Sequence, residues 1–121
     1  MPISHFTHKG TPIMFADYRE CVTPEQQLAL LDEVASTMQS KSEVRLLVDY
    51  NGIKAGPNYM AKLKEYGNTV FKKHMKCSAV LGITGLKKIL FNGYSRATGA
   101  KNIKAIDSRD EALDWLVDFS D

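Results

Sequence analysis

The stretch that most constrains the fold is residues 77–99, which read CSAVLGITGLKKILFNGYSRATG. Residues 78–83 are small, apolar and uncharged, as expected for a β-strand that is covered on both faces. Thr84-Gly85 interrupts this run, and apolar residues then recur at helical spacing until Gly99, which is typical of a helix end. The stretch therefore predicts a strand, a tight turn and a packing helix in immediate succession.

The same alternation of strand and helix patterns continues along most of the chain. Strands are predicted at residues 12–18, 44–50, 78–83 and 102–107, and a helix is predicted after each of them. Capping boxes at Thr23–Gln26 and Ser108–Glu111 mark two of the helix starts. The order βαβαβαβα predicts an α/β fold with a four-stranded, mainly parallel sheet. Residues 1–11 carry little pattern, so we expect a loose arm followed by one domain at residues 12–121.

Length and composition favour a soluble, intracellular chain. The 121 residues suffice for one domain with a single core. No run approaches the roughly 20 apolar residues that a transmembrane helix needs, and the first residues lack the order of a signal peptide. Cys21 and Cys77 are far apart and match no disulfide or metal-binding pattern. We therefore predict a cytoplasmic protein without a transmembrane segment.

Charge is unevenly distributed, although the net charge is only +2. Residues 41–104 carry a net charge of +10, whereas the segments before and after them carry −3 and −5. A basic segment attracts anionic partners such as phosphate, nucleic acid or an acidic protein face. An alternative interpretation is that the spaced lysines lie on the solvent-exposed faces of two helices and bind no partner. Because no lysine-arginine cluster of the usual patch length occurs, nucleic-acid binding is not predicted.

Polar residues are concentrated where the predicted strands end, and the first two strands end alike, in FADY and LVDY. Ligands of parallel sheets usually bind beyond the carboxyl ends of the strands. Backbone N–H groups at a glycine turn, a helix dipole and a lysine suit an anion or another polar ligand. Turn formation and helix capping explain the aspartates and the threonine equally well. The candidate ligand-binding residues are Asp17, Asp49, Thr84, Gly85, Lys87 and Lys88.

Catalytic and cofactor motifs are incomplete. Residues 82–86 lack the serine and the closing glycine of a nucleophile elbow, and residues 82–87 are too short for a P-loop. His5 and His8 lack the further ligands that zinc needs. The sequence therefore predicts no metal, no cofactor and no complete catalytic set. An enzymatic alternative stays open and would rest on Asp17, Asp49 and Thr84.

The run SAVLGITGLKKILFNGYSRATGAKNIKAIDSRDEALDWL, with HKGTPIMFADYRE and LLVDYNG upstream, resembles the SpoIIAA-like branch of the STAS superfamily. STAS domains are related in fold to CRAL-TRIO lipid carriers, so the resemblance implies a small βα domain with a four-stranded sheet. STAS domains proper act as non-enzymatic switches, and anti-sigma-factor antagonists are phosphorylated on a serine after the strand that here is residues 44–50. No Ser or Thr lies between Asn51 and Asn68, so the phosphoserine switch is not carried over.

Two functions are therefore expected from different classes. The first is a non-enzymatic, STAS-like regulatory or protein-interaction module whose basic middle segment meets an acidic protein partner, or its own acidic ends in a homodimer. The second is a small-molecule carrier that binds an anion at residues 84–88 or an apolar, lipid-like molecule under the helices.

Overall fold

The computed structural model describes residues 2–83 and 101–120. Five strands occur in these residues: β1 (Ile3–His8), β2 (Thr11–Asp17), β3 (Val44–Asp49), β4 (Met75–Leu81) and β5 (Ile103–Ala105). The helices are α1 (Pro24–Gln39), α2 (Pro57–Tyr66) and α3 (Arg109–Asp118). A π-helical turn (Gly67–Phe71) and a last helical turn (Lys72–His74) continue α2 toward β4. None of the helices in this part of the chain is long and apolar enough to cross a membrane.

The strands form one mixed sheet in the order β1-β2-β3-β4-β5. β2 to β5 are parallel, whereas β1 pairs antiparallel with β2. The predicted α/β class is therefore confirmed. The predicted sheet of four strands is wrong, because a fifth strand precedes the first predicted one.

That additional strand, β1, lies in the segment expected to be a loose arm. Residues Lys9 and Gly10 both have positive φ angles, of 50° and 80°, and connect β1 to β2. Such two-residue turns match the twist of a hairpin and hold the two strands in register. Ile3 is buried opposite Ala16, but Ser4, His5 and Thr7 are exposed. An edge strand with so few buried side chains shows almost no apolar periodicity, which is why the pattern did not predict it.

The sheet is covered on both faces, because successive side chains of each strand point to opposite sides. One face packs against α1 and α2 through residues that include Met14, Leu46 and Val48. The other face packs against α3 through residues that include Phe15, Leu47 and Ala79. The central strands therefore have apolar side chains on both sides, as their sequences indicated.

The helix starts follow the predicted local signals. The Thr23 hydroxyl accepts a hydrogen bond from Gln26 N at 3.2 Å, and the Gln26 side chain accepts one from Thr23 N at 3.1 Å. At the start of α3, Ser108 accepts a hydrogen bond from Glu111 N, which is one of the two bonds of the capping box predicted there. These bonds satisfy backbone donors that a helix leaves free in its first turn.

Candidate functional site at the carboxyl edge of the sheet

The two similar strand ends, FADY and LVDY, lie side by side. Asp17 and Asp49 are direct partners in the parallel register of β2 and β3. The rings of the following residues, Tyr18 and Tyr50, have centroids 4.9 Å apart. The repeated sequence therefore reflects two neighbouring strands that leave the sheet in the same way.

Arg19 connects the two carboxylates. Its Nε donates to Asp17 Oδ1 at 2.9 Å and its Nη2 donates to Asp17 Oδ2 at 2.8 Å, which is a bidentate pair. The same Nε lies 3.5 Å from Asp49 Oδ2. The other oxygen of Asp49 accepts hydrogen bonds from the backbone N and the Nδ2 of Asn51, at 2.9 and 2.7 Å. We refer to Asp17, Arg19, Asp49 and Asn51 as the aspartate cluster.

The electrostatics of the aspartate cluster favour the ionised form of Asp17. The hydrogen bonds from Arg19 are the main reason that the pKa of Asp17 lies below its ordinary value. The reverse interaction with Asp17 raises the pKa of the Arg19 guanidinium. Asp49 is only 5% exposed, and its two oxygens face Arg19 and Asn51. A buried carboxylate with this set of donors is held in one orientation.

A second arginine lies at the start of α3. The Arg109 guanidinium is 4.7 Å from the centroid of the Phe15 ring and 5.5 Å from that of Phe6. Cations at these distances are attracted to the faces of aromatic rings. The positive charge of Arg109 also contributes to the lowered pKa of Asp17.

Three tyrosines pack beside the aspartate cluster, on the face covered by α1 and α2. Tyr18 and Tyr59 are 1% and 3% exposed, and their ring centroids are 5.6 Å apart. The hydroxyls of Tyr50 and Tyr59 form a 2.6 Å hydrogen bond. Burial is the main cause that raises the pKa of all three phenols. We refer to Tyr18, Tyr50 and Tyr59 as the tyrosine cluster; its members are neutral phenols that support the strand ends.

The exit of β4 packs directly against the exit of β3. Gly82 has a φ of +95°, and a Cβ at this position would lie 2.5 Å from Asn51 N and 2.6 Å from Tyr50 C. The Tyr50 N–H donates to Leu81 O at 2.9 Å, which holds the two segments together. Only glycine combines this backbone conformation with so close an approach.

The structure therefore brings together two of the predicted site residues, Asp17 and Asp49. The other four, Thr84, Gly85, Lys87 and Lys88, lie outside the described residues. Sequence reasoning missed Arg19 and Asn51, each two positions after an aspartate. The sequence did contain a signal for both residues: a hydrogen-bonding side chain two positions after an aspartate is typical of a tight turn at a strand end.

The polar side chains described at this edge are paired with one another. Among residues 2–83 and 101–120, no group of three histidine, cysteine or acidic side chains could hold a metal ion. Within the same residues, each buried side-chain nitrogen or oxygen has a hydrogen-bond partner. The hydrogen bonds of Arg19 and Asn51 are suited to holding the two strand exits in place.

Comparison with known proteins adds no assignment. No family model matches the sequence, and no curated protein matches it.

The aspartate cluster makes a prediction about acid stability. In Arg19→Gln we expect the pKa of Asp17 to return toward its ordinary value of about 4. A carboxylate with a lowered folded-state pKa adds stability above its unfolded pKa, and this stability is lost as pH falls through the folded pKa. Arg19→Gln should therefore be less stable than the wild type at neutral pH and lose less stability on acidification below about pH 4.

The measurement is an NMR titration of the Asp17 carboxyl carbon together with urea unfolding at several pH values. Lys54→Gln serves as the matched control, since it also removes one exposed cation near this edge. The interpretation of the ion pair fails if the titration of Asp17 is the same in wild type and Arg19→Gln.

Proposed function

We propose that the protein is a non-enzymatic, STAS-like protein-interaction module whose partner binds at the carboxyl edge of the sheet. The observation that carries the proposal is the exposure of two large apolar side chains there. Val22, just before α1, is 74% exposed, and Met60, in the first turns of α2, is 50% exposed. They are the exposed large apolar residues of the described part of the chain, and exposed apolar residues supply the desolvated centre of protein interfaces.

The two segments that carry Val22 and Met60 are fixed to each other. Gln27 is buried, and its Nε2 donates to Cys21 O at 3.1 Å and to Lys54 O at 3.2 Å. The aspartate cluster and the hydrogen bond from Tyr18 N to Asp49 O hold the strand ends beneath them. A surface that is ordered before binding loses less conformational entropy when a partner docks.

The carboxylates of Asp17 and Asp49 are already paired with side chains of this chain, which favours an interaction module over an enzyme. A general acid or base needs an oxygen that can reach a substrate proton, and a nucleophile needs a free lone pair. At this edge the oxygens of Asp17 and Asp49 face Arg19 and Asn51 instead. The segment after β3 also has no serine or threonine between Asn51 and Asn68, which favours a surface that binds without serine phosphorylation.

The test compares Val22→Glu/Met60→Glu with the wild type in chemical cross-linking and affinity capture from the native host. Gln39→Glu is the control, because it adds a negative charge at the far end of α1. We expect a partner that wild type and Gln39→Glu capture and that the double variant loses. Light scattering at several concentrations tests whether this partner is a second copy of the chain. The proposal is wrong if all three proteins capture the same set or if the wild type captures none and stays monomeric.

A further inference from the structure

A basic groove opens at the amino edge of the sheet, opposite to the aspartate cluster. It has a volume of about 500 Å³ and lies where β3 and β4 begin and where the chain enters β5. Its lining includes the cations Lys73, Lys76 and Lys101, and Glu43 is the acid among the described lining residues. The groove thus collects three lysines from the basic middle segment of the sequence. The volume is in the range that small-molecule sites have.

The walls of the groove are fixed by hydrogen bonds. Ser78 N donates to Asn102 O at 2.8 Å and Asn102 Nδ2 donates to Lys76 O at 3.3 Å, which holds the segment with Lys101 against β4. His74, also in the lining, has its Nδ1 2.8 Å from Lys41 O. Because a carbonyl oxygen only accepts, this nitrogen carries the hydrogen and the orientation of the ring is set.

Part of the lining is apolar, and the segment that carries Phe119 is held by Arg45. Its Nη1 donates to Leu116 O and, at 3.2 Å, to Phe119 O, where α3 ends. A cation at the carboxyl end of a helix satisfies free carbonyl groups and complements the helix dipole. Phe119 and Met75, both half-buried, provide the apolar part of the lining.

We propose that this groove binds a small anion that carries an apolar body. The anionic group, a phosphate or a carboxylate, pairs with Lys73 and Lys101, whose exposed ammonium groups are charge-assisted donors. The apolar body lies against Met75 and Phe119. The site as described uses none of the residues 84–88, and its occupation does not depend on the interaction surface at the carboxyl edge.

Calorimetric titration with phenyl phosphate tests the proposal, because this probe combines the two chemical features. We expect Lys101→Ala to weaken binding about five- to tenfold, as the loss of a charged hydrogen bond does. Lys104→Ala is the matched control: it removes the same charge three residues away, from an exposed position outside the lining. Lys104→Ala should change the affinity less than about twofold, since only long-range screened charge is lost.

A variant that binds more tightly shows that a change in affinity is not caused by loss of folding. Glu43→Gln removes the acid from the lining and should tighten binding about two- to fivefold. Inorganic phosphate and phenol, which each carry one half of the probe, should bind more weakly than phenyl phosphate. The proposal is overturned if neither wild type nor Glu43→Gln binds phenyl phosphate, or if Lys101→Ala and Lys104→Ala weaken binding equally. It is also overturned if inorganic phosphate binds as tightly as phenyl phosphate.

Discussion

Gly82→Ala is expected to lower the free energy of unfolding by about 3 kcal/mol or more. The added Cβ would lie 2.5 to 2.9 Å from three backbone atoms of Tyr50 and Asn51. Backbone atoms cannot rotate away as a side chain can, so the exits of β3 and β4 must separate. The φ of +95° adds strain that any L side chain would carry.

Gly52→Ala provides the matched control for this effect. Gly52 also has a positive φ, of +79°, but nothing lies within 4 Å of the position of its Cβ. This variant should cost only about 1 kcal/mol, the conformational part of the penalty. Urea unfolding of both variants at neutral pH measures the difference. Equal losses of stability in the two variants would contradict the close packing of the strand exits.

The second large effect is expected at alkaline pH, where the tyrosine cluster should cause cooperative unfolding. The folded state raises the pKa of Tyr18, Tyr50 and Tyr59, so these phenols ionise only in the unfolded chain once pH exceeds about 10. Each then lowers the stability by about 1.4 kcal/mol per pH unit, which is about 4 kcal/mol per unit for three. The stability that these three phenols contribute is fully present below the pKa of tyrosine in the unfolded chain, and it declines as the pH rises above that value.

Phenolate absorbance and far-ultraviolet circular dichroism, recorded during one titration from pH 8 upward, provide the measurement. We expect the absorbance of the buried tyrosines to change only together with loss of secondary structure. Tyr59→Phe should reduce the contribution of the tyrosine cluster to the slope of stability against pH by about one third, because one of its three titrating groups is removed. The chain has five tyrosines, and only Tyr66 and Tyr94 lie outside the cluster. Ionisation of more than two tyrosines with unchanged dichroism would rule out the neutral state of the tyrosine cluster.

Local features of the fold could be predicted from the sequence, because neighbouring residues determine them. The capping box of Thr23 and Gln26 needs only four consecutive residues, and the apolar β3 and β4 follow from composition alone. The strand β1 could not be predicted, since it is stabilised by pairing with β2 and buries few of its own side chains. Stabilisation by pairing with a neighbouring strand does not require alternating apolar residues in β1 itself.

The candidate site was predictable only in part, for a related reason. The position of Asp17 and Asp49 at one edge follows from parallel strands that end alike. The contact of Arg19 with both aspartates requires that β3 be the neighbour of β2 and that the chain turn toward β3 after β2. The spacing of residues along the sequence indicates neither of these. The groove at the amino edge depends on contacts between β3, β4 and α3 that are far apart in sequence.

The attachment of Arg45 to the end of α3 has a consequence for the order in which the molecule assembles. This contact joins residues 71 to 74 positions apart, whereas α1 and α2 pack on strands that directly precede or follow them. Closing so long a loop costs entropy before any contact with α3 forms. We therefore expect the face with α1 and α2 to form first, as a local unit, and α3 to dock later and complete the second face. Transient release of α3 would expose Phe15, Leu47 and Ala79 while the opposite face stays packed.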